Sequence, residues 1–257
     1  MKLSIITVNL NNLQGLKDTY ESVMNQSYKN FEFLIIDGDS NDGSKEFIMD
    51  HAQHFHFWQS KKDKGIYDAM NVAIKNARGE YLFFLNSGDI FYDTTVLQSL
   101  EPLMFEDIVF GDIEEVNGDD TFLLNKPDHI DFEYLLKFGL SHQSTFIKRE
   151  LFIKHGLYNS DLKICADWTF FLDVICKHNA SYKHIPITIS SFNTDGISSL
   201  EENLYIIKNE KEQHLKKYYA PFIEYYLSTE LMVARHNALK NSRLIRILSI
   251  FFKQLRF

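Results

Sequence analysis

Four short segments hold most of the side chains suited to polar chemistry, and each follows an apolar run. They are Asn9-Leu10-Asn11-Asn12, Asp37-Gly38-Asp39-Ser40-Asn41-Asp42-Gly43, Asp63-Lys64-Gly65 and Asn86-Ser87-Gly88-Asp89. Asp, Asn and Gly also make ordinary turns, because short polar side chains bond the nearby backbone and tolerate unusual dihedrals. Acids recurring after successive apolar runs point to a second use. A carboxylate after the second run, such as Asp37, can accept from the hydroxyls and base edge of a nucleoside. Asp89 can hold Mg2+ or Mn2+ on a diphosphate, since these ions prefer carboxylate, carbonyl and water oxygens. The ion then stabilises charge building on a departing phosphate. Further along, Asp167 opens a predicted helix. It either caps that helix or, kept ionised by the helix dipole, takes a proton from an attacking hydroxyl. His142, in Ser141-His142-Gln143-Ser144-Thr145-Phe146, either touches a diphosphate or acceptor or makes an internal hydrogen bond.

Other chemistries match less well. Residues 38–45, GDSNDGSK, approach a phosphate-binding P-loop, but Ser44 precedes Lys45, the reverse of the required order. No G-x-G-x-x-G follows an apolar run, which argues against a dinucleotide. His51, His54 and His56 cross from a helix end into a strand, so they need not share a face and read as surface histidines.

The surrounding elements alternate. Strands are expected at 3–9, 31–37, 55–59 and 81–85, with helices at 13–25, 43–52 and 66–77. Such alternation indicates βαβ units around a parallel sheet, and in open α/β sheets ligands bind at the carboxyl ends of the strands. The four polar segments therefore converge on one edge. After residue 105 the spacing becomes irregular, with strands at 107–112, 121–125 and 143–148 and a helix at 166–179. A bent strand pair is expected at 181–192 around Pro186. From residue 200 the chain reads as helical, interrupted at Pro221. The expected plan is one domain over 1–199, with a nucleotide-binding half to about 105 and an acceptor half beyond, and a helical extension over 200–257.

Composition agrees with a folded protein. Of 257 residues, 45% are apolar and 24% charged, which excludes disordered and collagen-like classes. No apolar run approaches the roughly 18 residues that span a bilayer, and the N-terminus turns polar too early for a signal peptide. Cys165 and Cys176 fall far apart along one predicted helix and suit reduced thiols in the cytoplasm. The net charge is −8. Residues 231–257 nevertheless carry six bases and no acid, leaving 21 bases against 35 acids in the remainder. An acidic body is a poor nucleic-acid binder. From Leu239 onward, Leu244, Ile247, Leu248, Phe251 and Leu255 share a helical face with Arg246 and Lys253 opposite. This pattern fits attachment to an anionic membrane surface or an ordinary capping helix.

Several motifs together resemble family 2 glycosyltransferases of the GT-A fold. They are SIITVNLNN, Asn25-Gln26-Ser27-Tyr28, LIIDGDSNDGS, DKGIYDAMNVAIKNARGEYLFFLNSGD and ADWTFFL, in that order over roughly residues 1–200. DKGIYDAMN, FLNSGD, HQSTF and SFNTDGISS are similar to enzymes of colanic acid, O-antigen and capsule assembly. The resemblance implies a mixed, mostly parallel Rossmann-like sheet flanked by helices. It implies nucleotide contacts from Asn9, Asp37, Asp39, Asp63 and Asn71, and donor-sugar or diphosphate contacts from Asn86, Ser87, Asp89 and His142. It also implies a divalent cation on Asp89 and a catalytic base at Asp167. The sequence departs from the family at the D-x-D motif, where Asn86 and Gly88 replace both aspartates, so that Asn86 would bind sugar or metal through its amide oxygen. It departs again at Gly38, where an acid is usual and Asp39 would stand in. The implied activity is inverting transfer of a sugar from a nucleotide sugar, a UDP-sugar, to a glycan or polyprenyl-diphosphate-linked acceptor. The rival is a silent nucleotide-sugar-binding module.

Overall fold

The computed structural model describes residues 2–118, 120–194, 196 and 200–241, with side chains described through residue 233. In chain order the first half comprises β1 (Leu3–Asn9), α1 (Leu13–Met24), β2 (Phe31–Asp37), α2 (Ser44–Asp50), β3 (Phe57–Ser60), α3 (Ile66–Asn76), β4 (Tyr81–Phe84), β5 (Ile90–Phe91) and α4 (Val96–Leu100). Then follow β6 (Ile108–Asn117), β7 (Asp120–Leu124), α5 (Phe132–Lys137), β8 (Thr145–Lys148), α6 (Arg149–His155), α7 (Ala166–Cys176) and β9 (Tyr182–Asn193), and finally α8 (Leu204–Tyr218) and α9 (Ala220–Asn241).

One mixed sheet runs in the order β3-β2-β1-β4-β8-β6-β9-β5, with β7 paired to β6. Strands β1 to β4 are mutually parallel, with Asn9 beside Asp37 in register. Every residue of β1 is buried, as expected when helices cover both faces of a parallel sheet. One face gathers alternate residues, Leu3, Ile5, Phe33, Ile35, Phe83, Val109 and Phe146, against Leu16 and Val23 of α1. Phe83 stacks on Phe146 at 4.4 Å and on Phe91 at 5.2 Å between ring centroids. These stacks account for part of the high phenylalanine content. Burial of such rings contributes several kcal/mol each, so Phe83→Ala would cost about 3–5 kcal/mol.

Two elements differ from their sequence patterns in ways that matter to the site. The strand expected from 143 starts at Thr145, because His142–Ser144 form a 3-10 turn. That turn lifts His142 out of the sheet. The pair expected around Pro186 is one continuous strand. The register steps from Gly111 opposite Ile185 to Asp112 opposite Thr188, so Pro186 and Ile187 are looped out. Proline has no N–H for the ladder, and Gly111 leaves room because a Cβ there would stand 2.5 Å from the Ile187 carbonyl oxygen.

The chain divides into two compact units between Ile207 and Lys208. Pro221 sits in the first turn of α9, where its missing N–H is harmless. Residues 242–257 lie outside the described residues, as do the side chains of 234–241, and with them the expected basic tail. No helix among the described residues is long and apolar enough to cross a membrane. Both cysteines are free thiols.

Candidate active site

The carboxyl ends of β1, β2 and β4 bring their loops to one edge, and hydrogen bonds knit those loops together. Asp37 is fully buried. Its Oδ1 accepts from Asn9 Nδ2 at 2.8 Å and Ser40 Oγ at 2.5 Å. Its Oδ2 accepts from Ser40 N at 3.0 Å and Ser60 Oγ at 2.7 Å. Burial raises this carboxyl, but the bonds from Ser40, Ser60 and Asn9 outweigh it and hold the group ionised below the usual range. Asp37, the residue expected to meet the nucleoside, thus has internal donors on both oxygens. Fully buried, with four donors bound, it anchors the loop.

Two acceptors remain beside that anchor. Asn9 Oδ1 is buried without a hydrogen-bond partner. Asp63 Oδ1 accepts from Gly65 N at 2.9 Å, while Oδ2 faces Gly38, whose added Cβ would stand 2.9 Å away. Glycine at 38 thus makes room for Asp63, which fills the space of the acid missing there. Burial foremost, and then Asp68 and Asp37, push the Asp63 carboxyl upward. Asp39 stands exposed at the loop tip, with a left-handed φ of 71° that Asp tolerates better than most residues.

The segment Asn86–Asp89 is held from α1. Thr19 Oγ1 accepts from Gly88 N at 3.0 Å and donates to the Asp89 carbonyl at 2.7 Å. Asn12, the N-cap of α1, donates to the Ser87 carbonyl at 3.0 Å. Asp89 is 7% exposed. Burial pushes its carboxyl up to about 7, against the opposing pull of His142 and of N–H groups at Asn86 and Asn193.

His142 bridges this segment to α7. Asn86 Nδ2 lies 3.0 Å from His142 Nε2, and His142 Nδ1 lies 2.9 Å from Asp167 Oδ2. Asp167 Oδ1 accepts from Trp168 N at 2.8 Å and lies 2.8 Å from the Tyr67 hydroxyl. That hydroxyl is also 2.5 Å from the Ile164 carbonyl, so one proton is shared between two acceptors. The His142 and Asp167 side chains are 14% and 16% exposed, which leaves both reachable. Burial raises the Asp167 carboxyl, but the bonds and charge of His142, with Tyr67 and Trp168 N–H, hold it below the ordinary range. Tyr67 was not singled out in the sequence. Its place one residue into the α3 pattern gave it the look of a core aromatic, and only the fold brings α3 against the start of α7.

Asn71 also has internal partners. Its Nδ2 donates to the Tyr158 carbonyl at 2.8 Å and its Oδ1 accepts from Tyr158 N at 3.1 Å. Both ends of the amide thus brace the loop at Tyr158. The three histidines at 51, 54 and 56 go to separate partners, Phe47 O, Tyr20 OH and Phe33 N. Among the described residues no three His, Cys, Asp or Glu side chains gather as a metal cage. A cation bridged by a nucleotide needs only one or two protein carboxylates, with phosphate and water completing its shell. Asp89 fits that lesser demand. Beside it Asn86 Oδ1 is a buried acceptor without a partner.

Comparison with known proteins identifies the family and the fold. The sequence profile described as glycosyl transferase family 2 matches residues 4–158. An uncharacterised glycosyltransferase of Mycobacterium tuberculosis is 34% identical over 219 residues, covering 78% of each chain. A PGL/p-HBAD biosynthesis glycosyltransferase of Mycobacterium bovis is 28% identical, covering 75% of this chain and 77% of its own. Among solved structures, S. aureus TarS 1–349 in complex with UDP-GlcNAc superimposes with a TM-score of 0.63 at 17% identity over 75% of this chain. The mannosyltransferase PcManGT from Pyrobaculum calidifontis, in complex with GDP-Man and Mn2+, gives 0.57 at 16% identity over 87% of this chain. The chain spans only 58% of the TarS fragment and 64% of PcManGT. The match over most of the sequence places the chain in glycosyl transferase family 2, and its fold is GT-A.

Proposed function

We propose that this member of glycosyl transferase family 2 is an inverting enzyme. It moves a hexose or N-acetylhexosamine from a nucleotide sugar, a UDP-sugar, to a glycan or lipid-linked acceptor. The observation that carries this reading is the hydrogen-bonded line from the Asn86–Asp89 segment through His142 to Asp167, which joins a diphosphate end to a proton-accepting end. Direct displacement at an anomeric carbon needs those two functions on opposite sides of the sugar. Asn9 Oδ1 and Asp63 Oδ2 are acceptors suited to a base N–H or ribose hydroxyls. Asp39 flanks them from the loop tip. Asn86 and Ser87 face the donor sugar and diphosphate. Asp89 would hold Mn2+ or Mg2+, which supplies neutralising charge to the diphosphate when bound. The Asp167–His142 pair would receive the acceptor proton. The motifs shared with colanic acid, O-antigen and capsule enzymes support a place in cell-surface polysaccharide assembly, and the basic tail supports work at the inner face of the cytoplasmic membrane.

Purified protein should be screened against UDP-sugars and GDP-mannose for thermal stabilisation and for nucleotide release with Mn2+. A ligand at about 100 times its Kd adds ~2.7 kcal/mol. Asp167→Asn keeps a capping side chain but removes the carboxylate. Turnover should fall by about 10²-fold or more with donor affinity retained. Binding without turnover of any donor in the wild type would favour a silent binding module. Unchanged turnover in Asp167→Asn would remove Asp167 from the site.

A further inference from the structure

The hairpin of β6 and β7 overhangs the sheet edge that carries the candidate site. Phe83, Phe146 and Val109 lie in register across β4, β8 and β6, so residues 112–117 of β6 extend past the carboxyl end of β4. β7 pairs with that overhang, running from Asp120 opposite Asn117 back to Leu124 opposite Ile113. Every residue of β7 is exposed, and Phe122, Leu123 and Leu124 are 54%, 53% and 37% open. Phe122 and Leu124 share one face, because side chains alternate along a strand. Two residues on, the chain is back at the edge. Lys126 N donates to Asp112 Oδ1 at 2.8 Å, and Lys126 Nζ donates to Ser141 Oγ at 3.3 Å. Ser141 is the residue before His142, which reaches Asp167. An ammonium has three N–H donors, and that of Lys126 has this one hydrogen bond and no ion pair among the described residues. Asp112 is taken up by His184 and by the Lys126 backbone. Burial pushes the ammonium below the ordinary lysine range, against the raising charges of Glu115 and Asp112. A charge held out of water with donors unfilled is costly unless an anion completes it.

We propose that Lys126, with Phe122 and Leu124 of β7, binds a phosphorylated lipid, the ammonium taking a phosphate oxygen and the strand covering the first part of the hydrocarbon chain. The site rests on the glycosyl-transfer reading only for what it delivers: a sugar joined to that phosphate would extend toward His142 and Asp167. The parts of such an acceptor then meet the protein in order, the tail on β7, the phosphate at Lys126 and the sugar hydroxyl at the Asp167 end. Neither half of the site suffices alone. Scattered exposed apolar residues are common on protein surfaces, and a single ammonium accepts any anion. Their succession within residues 122–126, over the candidate site, selects a ligand that is apolar at one end and anionic at the other.

The test is titration calorimetry on the full chain with farnesyl phosphate kept below its micelle concentration, and with farnesol, inorganic phosphate and UDP as comparisons. Farnesyl phosphate should bind at least about tenfold more tightly than farnesol or phosphate, the scale of one hydrogen bond to a charged group. Lys126→Met should remove about tenfold or more of that affinity, and Lys126→Arg should retain most of it. Phe122→Ser with Leu124→Ser should weaken farnesyl phosphate by about threefold or more and leave inorganic phosphate unchanged. Lys126→Met should melt no lower than wild type, since it removes a poorly partnered charge, and its UDP affinity should stay within about twofold. Farnesyl phosphate binding no tighter than farnesol, or unmoved by Lys126→Met, would overturn the site. Loss of UDP affinity in Lys126→Met with farnesyl phosphate unaffected would give the lysine to the donor diphosphate and overturn it too. So would a clear drop in the melting temperature of Lys126→Met, which would make the lysine a structural counter-charge to Glu115 and Asp112. Nucleotide release from UDP-sugars is a separate readout. Its absence in a wild type that still binds farnesyl phosphate through Lys126 would fail the glycosyl-transfer reading and leave this site standing.

Discussion

Asp89 carries a measurable conflict between stability and function. Its carboxyl is raised from 3.8 to about 7 by burial. The folded state therefore holds a proton that the unfolded state has already lost. Stability from this group is present below the unfolded value and disappears as pH rises through about 7. The full shift corresponds to about 4 kcal/mol, of which about 3 kcal/mol falls between pH 5 and pH 8. Asp89→Asn has no titrating group there. Its amide keeps one acceptor oxygen for the N–H groups at Asn86 and Asn193 but replaces the other with a donor NH2 in a buried site, which costs about 1–3 kcal/mol at every pH. The variant should thus be the less stable protein at pH 5 and gain on wild type by about 3 kcal/mol toward pH 8. In melting temperature the relative change is roughly 5–10 °C for a chain of this size. Urea unfolding and thermal melts of both proteins at pH 5, 6.5 and 8 measure it. Mn2+ with the preferred nucleotide sugar should stabilise wild type at pH 8 and leave the variant nearly unmoved. Stability curves that run parallel within about 0.5 kcal/mol would refute the buried, uncompensated carboxylate.

Asn71→Ala strands the buried N–H and carbonyl of Tyr158, so urea unfolding should report a loss of about 2–4 kcal/mol. UDP affinity, measured by calorimetry well below the melting temperature, should be unchanged if Asn71 only braces this loop; a weaker UDP with stability intact would assign it to the nucleotide. Asp63→Asn should weaken UDP binding by about tenfold, the scale of one hydrogen bond to a charged acceptor, and titration calorimetry would read it. Deleting residues 239–257 should abolish salt-sensitive co-sedimentation with phosphatidylglycerol vesicles while the rest stays folded. Equal binding by the full and shortened chains would sink the membrane role of the tail.

Much of the scaffold is legible in the sequence because it rests on short-range periodicity. The apolar runs at 3–9 and 31–37 are strands with those bounds, and the helix expected at 13–25 forms as Leu13–Met24. Apolar strands alternating with amphipathic helices require a covered parallel sheet, and that sheet puts Asn9, Asp37, Asp63 and the Asn86–Asp89 segment on one edge. The motifs therefore mark one candidate edge of the sheet. Which of those polar groups still has a free lone pair is a different matter, decided by partners distant in the chain. Asp37 and Asn71 look like ligands in sequence, and the fold adds internal partners, Ser60 and Tyr158, 23 and 87 residues away. Asp63 gained its place because Gly38 left a gap. His142 meets both Asn86 and Asp167 only because β8 inserts antiparallel beside β4 and a 3-10 turn precedes it. Hydrogen-bond saturation is a property of three-dimensional neighbours, which local pattern does not encode. The sequence alone determined the family, the fold class and the edge that carries the candidate polar residues. Tertiary packing decided which of those residues acquire internal partners.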